Sequence, residues 1–172
     1  MSRIASLLIA VAAVAGCSTP PAGAPASRAP AGGLFGNLFG SGLSPALEAQ
    51  RARLKQALEG TPVVVEATGD RRLRVSVPAR HAFEPGRTVV KPALAAVLDQ
   101  FAIGFKPYAA TTELRVGAPD DPTPSSRLVR DRAASARDYL VTRGVPLSRI
   151  VDAGGSGTAG LELLVSDRPP SK

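Results

Sequence analysis

Leu73, Val75 and Val77 alternate with Arg74 and Ser76, the two-residue period of a strand with one buried face. A second β-rich run, "VVVEA" from Val63 to Ala67, precedes it across "TGDRR", which predicts a hairpin with Gly69 at positive φ. The period then changes. Leu94, Val97, Leu98, Phe101 and Ala102 fall on one face of a helix that Pro92 opens. Thr111 to Val116 reads as a strand, Ser126 to Arg143 as a second helix closed by Gly144, and Arg149 to Ala153 and Leu161 to Val165 as further strands. Strands and helices in this order predict an α/β (α+β) two-layer sandwich, a small mixed sheet with two helices on one face, over residues 61–168.

Upstream of that domain the pattern weakens. Residues 45–60 predict a short helix that introduces the domain, with Ser44 as cap, Pro45 at the first helical position, and Gly60 and Pro62 as the stop. Leu47, Leu54 and Leu58 stripe one face of it, and Glu48 and Arg51 pair three apart. Before it, residues 17–44 are rich in Pro, Gly, Ala and Ser, a composition that buries too little to fold and reads as a tether. Inside this stretch the near-repeat "LFGNLFGSGL", Leu34 to Leu43, reads as an irregular apolar segment lying on the domain or on a lipid surface.

Residues 1–16 have the architecture of a signal peptide: Arg3 in front, then the apolar run Ile4 to Gly16, too short to span a bilayer. The only cysteine, Cys17, ends that run, and "VAGCS" resembles the lipobox of bacterial lipoproteins. The resemblance implies cleavage before Cys17, its modification by acyl chains such as palmitate, and, with Ser18 rather than Asp following it, delivery to the outer membrane facing the periplasm. Each buried CH2 of such chains is worth about 0.8 kcal/mol, so several chains anchor almost permanently. Loss of Arg3 with the leader would lower the formal net charge from +7 to about +6.

"HAFEPGRTVVKPALAAVLDQFA", "LRVGAPDDP", "RLVRDRAASARDYLVTRGVPLSRI" and "AGG" together resemble the OmpA-like C-terminal domain, the peptidoglycan-binding module of Gram-negative envelope proteins. The likeness covers about Val63 to Val165 and is most specific from Arg132-Ala133 through Tyr139-Leu140 to "RGVPLSRI". It implies that Asp120, after the third strand, holds the ammonium of diaminopimelate, and that Arg132, on the following helix, holds a carboxylate of the same residue. Asp121 and Ser125, on the same loop, are further candidates. A fixed carboxylate beside a guanidinium fork suits a zwitterion, and the helix N-terminus at Ser125 and Ser126 would add N–H groups and a positive dipole end. The chain departs from the family pattern at Ala118 and Pro119, at Ser125, at Ser156 and at Thr158-Ala159-Gly160, where a second guanidinium is missing. On residue types alone, Asp120 and Arg132 also fit a surface ion pair, and Asp121 a helix cap or turn former.

Other chemistry is not indicated. His81 is the only histidine, with no partners at metal-ligand spacing, and no nucleophile stands beside a base, so neither metal, cofactor nor enzymatic activity is expected. "GGSGTAG", Gly154 to Gly160, follows no phosphate-loop pattern and reads as a flexible turn. Arg127, Arg130, Arg132 and Arg137 crowd the second helix, but aromatics are only 4% of the chain and export argues against nucleic acid. The expected function is an outer-membrane lipoprotein that binds peptidoglycan non-covalently and tethers the membrane to the wall. The alternative is a divergent OmpA-like domain without ligand binding, a scaffold for envelope proteins or a secretion assembly.

Overall fold

The computed structural model describes residues 42–153 and 158–168. The expected leader, Cys17, nearly all of the 17–44 tether and Ser156 lie outside the described residues.

Five strands form one mixed sheet: β1 (Val64–Ala67), β2 (Leu73–Pro78), β3 (Thr112–Gly117), β4 (Ile150–Ala153) and β5 (Gly160–Asp167), in the order β1-β2-β5-β3-β4. Among the described residues, the last of these strands is therefore the central one. It runs antiparallel to both β2 and β3, while β4 lies parallel to β3 on the edge. The period-two pattern puts Leu73, Val75, Val77, Leu114, Val116, Leu161, Leu163 and Val165 on one buried face. The opposite face carries Arg74, paired with Glu66, and other polar side chains.

Helices α1 (Pro45–Ala57), α3 (Pro92–Phe105) and α4 (Ser126–Thr142) cover the apolar face, and a single turn, α2 (Ala79–Ala82), follows β2. The covering layer thus has one more long helix than the sequence suggests. Helix α1 is built into the core rather than leading up to it, because Leu47 and Leu54 are fully buried and Leu58 nearly so. The side chain of Gln50 is buried in the same row of α1, and neither its Nε2 nor its Oε1 finds a hydrogen-bond partner. Such an orphaned amide costs roughly 1–3 kcal/mol, which the flanking leucines must offset.

The caps follow the sequence closely. Ser44 accepts the Leu47 N–H at 3.3 Å with Pro45 behind it, and its hydroxyl donates to Asp167 at the end of β5 at 2.8 Å. Helix α4 closes with Gly144 at φ +86°, the Gly144 N–H returning to Val141 O and the Val145 N–H to Leu140 O. This double return is a Schellman stop, with Val145 buried as its apolar contact. The β1-β2 turn differs from expectation. Its positive φ falls on Arg71, at 61°, and not on Gly69. Thr68 explains the shift: its hydroxyl accepts the Arg72 N–H and bonds to Asp70, which fixes the turn one step later.

Candidate functional site

Strand β3 ends at Gly117, and the chain then passes through the buried Ala118 and Pro119 before reaching Asp120. Thr158, on the approach to β5, holds this exit by donating its N–H to Ala118 O at 3.2 Å and forming a bridge with Pro119. The Asp120 carboxylate faces forward into the loop. Oδ1 accepts from the Asp121 N–H at 2.9 Å and from the Ser125 N–H at 3.0 Å, and Oδ2 lies 3.1 Å from the same Ser125 nitrogen. Ser125 in turn caps α4, its hydroxyl accepting the Leu128 N–H at 3.3 Å. One carboxylate and one hydroxyl therefore fold the loop Asp120 to Ser125 onto the start of α4. The Ser125 N–H, expected to point at a ligand, is spent on Asp120.

Arg132 lies two turns into α4 and is only 2% exposed, the largest fully buried side chain among the described residues. A buried charge is tolerated only when its hydrogen bonds are met. Here Nε donates to Arg87 O at 2.9 Å, Nη1 to Pro119 O at 2.9 Å and Nη2 to Glu84 O at 3.0 Å. Nη2 also forms an ion pair with Asp121 Oδ1 at 2.8 Å. Four of the five N–H groups of the guanidinium are thus engaged by its own chain. The ring of Phe83 lies beneath the guanidinium carbon, 5.2 Å away, and adds a cation-π contact.

The remaining wall is the turn after α2. Gly86 adopts φ +67°, and its N–H donates to Asp121 Oδ2 at 2.6 Å. Asp121 is held at both oxygens, by this backbone donor and by Arg132. The Gly86 hydrogen bond foremost, and the guanidinium after it, hold the Asp121 carboxyl below its ordinary range against the opposing effect of burial.

No protein-family model matches the chain. The probable lipoprotein YiaD of Escherichia coli strain K12 is 31% identical over 119 residues, 67% of this chain and 54% of that protein. The chain spans about half the length of the curated relative it matches. Among solved structures, a MotB-like protein from Desulfovibrio vulgaris is similar with a TM-score of 0.58 at 19% identity, over 72% of this chain and 92% of that one. The periplasmic domain of Helicobacter pylori MotB gives 0.56 at 15% identity, over 67% and 85%. The cell wall anchor of the T6SS from Pseudomonas aeruginosa gives 0.54 at 18%, over 69% and 99%. The chain carries a divergent OmpA-like fold.

Within this OmpA-like fold the residues singled out in the sequence do converge on one loop, but their pairing is different. Arg132 pairs with Asp121, and Asp120 with backbone N–H groups; the two residues expected to act together are linked through Pro119, whose carbonyl Arg132 holds. Asp120 and Arg132 form no surface ion pair: the guanidinium is buried and takes Asp121 as its carboxylate, while Asp120 is turned to the Asp121 and Ser125 N–H groups. The Glu84 and Arg87 carbonyls and the Gly86 N–H were not found from sequence. They lie 48, 45 and 35 residues from the groups they hold, and backbone groups leave no mark on residue type.

Proposed function

We propose that this domain binds peptidoglycan non-covalently through the free zwitterionic end of diaminopimelate, with Asp120 taking the ammonium and Arg132 a carboxylate. The observation that carries this is the buried Arg132 guanidinium pinned at 2.9 Å to the carbonyl of Pro119, the residue next to the anchored Asp120 carboxylate. A negative group on the loop and a positive group on α4 are thereby fixed beside each other with little freedom left to lose, and preorganisation of that kind lowers the cost of binding. The fold relatives support the reading by their own roles, the cell wall anchor of the T6SS among them. The sequence at Cys17 and the lipoprotein relative support a further step: acylation of Cys17 anchors the chain in the outer membrane, facing the periplasm, and the 17–44 stretch tethers the wall-binding domain to it. Tethering raises the local concentration of wall around a single weak site, so modest affinity suffices. The protein acts as a structural link and not as an enzyme.

The second reading is a scaffold that has lost its ligand, and it is favoured by one observation: the guanidinium is already occupied by Asp121 and three carbonyls. Sedimentation of the full chain with purified, insoluble peptidoglycan separates the two. Retention that falls about tenfold in Asp120→Asn, which keeps the acceptor for Ser125 but drops the charge, is the expected result; a tenfold change corresponds to about 1.4 kcal/mol, within reach of one charge-assisted contact. Retention unchanged in Asp120→Asn and in Arg132→Lys, both folded, would overturn the clamp. Mass spectrometry of the cellular protein reports acylation of Cys17 directly.

A further inference from the structure

We infer that Asp121 is an internal competitor for the ligand carboxylate, a latch that must leave Arg132 before an anionic group of the wall can occupy it. The inference rests on the clamp reading above and adds its regulation. Three facts support it. Arg132 has a 2% exposed side chain, and the one carboxylate that meets it, Asp121, is itself 21% exposed, so that ion pair lies between the guanidinium and solvent. The other contacts of the guanidinium are backbone carbonyls of the turn after α2 and of the exit of β3, and these do not exchange for an anion. Asp121 is the one partner of the same chemical class as the proposed ligand group. It sits at 2.8 Å in the position where a carboxylate satisfies Nη2, with its second oxygen on the Gly86 N–H.

A bound ligand carboxylate would inherit both donors, Arg132 Nη2 and Gly86 N–H, so the site vacated by Asp121 is a ready-made carboxylate cradle. Asp121 itself stands between Asp120 and Pro122, so its carboxylate must leave by rotation of its own side chain while Asp120 keeps the loop on α4. Apparent affinity is then reduced by the fraction of time Asp121 is away, as for any binding-competent minor state. The latch also predicts selectivity: a neutral amide at that end of diaminopimelate does not displace a carboxylate from a guanidinium, whereas the free acid competes on equal terms.

The test is calorimetric titration of the full chain in detergent with free meso-diaminopimelate, comparing the wild type with Asp121→Asn. Asparagine keeps an oxygen for the Gly86 N–H and releases the charge from Arg132. Binding tighter by about tenfold or more in Asp121→Asn is expected, the factor by which a latch closed nine-tenths of the time lowers affinity. Equal or weaker binding in a folded Asp121→Asn, beside measurable binding by the wild type, overturns the latch and leaves the clamp standing. Binding by neither protein overturns both. Should Asp121→Asn fail to fold, Asp121→Ser, which also offers an oxygen to Gly86, is read by the same outcomes.

Discussion

Gly160 lies so close to Val77 that a Cβ built on it would stand 2.2 Å from the Val77 carbonyl oxygen and 2.9 Å from its carbonyl carbon. The contact is backbone against backbone, at the register point where Gly160 faces Pro78 and β5 enters the centre of the sheet. No rotamer change can relieve it. Gly160→Ala is therefore expected to destabilise the fold by about 3 kcal/mol, the upper part of the range for overpacking, and to lower the thermal midpoint accordingly. A midpoint within a degree of the wild type would show that the two strands part easily there.

Helix α1 contributes to the core through Leu54, which is fully buried and lies against Gly104 of α3. Leu54→Ala is expected to cost about 3 kcal/mol, the transfer of the lost atoms plus the cavity left behind. Chemical denaturation measures it, with the slope unchanged if the rest of the fold is intact. A loss under about 0.5 kcal/mol, of the size seen for surface changes, would mean that α1 is an appendage and not part of the layer.

Acid should act through Asp121. Its carboxyl is depressed in the folded state by Gly86 and Arg132, relative to about 3.9 in an unfolded chain. A depressed carboxyl contributes stability that is fully present above the unfolded value and is lost as pH falls through the folded one. The wild type should thus be more stable than Asp121→Asn near pH 6, and the gap should begin to narrow near pH 4 and close as pH falls through the lower folded-state value. Thermal midpoints of both proteins between pH 7 and 2 check this, and a gap that persists at the acid end would assign the difference to packing rather than charge.

How much of this was legible in the sequence varies with range. The period-two and helical stripes located the strands and the three long helices to within a few residues, because each stripe records one buried face. The caps at Ser44 and Gly144 were equally readable, since each is a local bond with a residue type that serves it. Gly154 to Gly160 read as a flexible turn, yet Gly160 is the first residue of β5 and is glycine because Val77 leaves no room. A close approach by a distant strand and a left-handed turn ask for the same residue. The site shows the same division. Asp120, Asp121, Ser125 and Arg132 were all located on or beside one loop, but which acid meets the arginine depended on a turn some 35 residues earlier, at Gly86.

The hydrogen bond from Ser44 to Asp167 fixes where the chain enters the domain: at the end of β5 that faces Thr112, the first residue of β3. Asp120 lies beyond the other end of β3, so the entry point and the loop are separated by the length of the strand, about 17 Å for six residues. Tension applied between residue 44 and anything gripped at Asp120 would be directed along β3 and β5. Their ladder bonds, which lie across that direction, would then share the load together in shear instead of opening one after another.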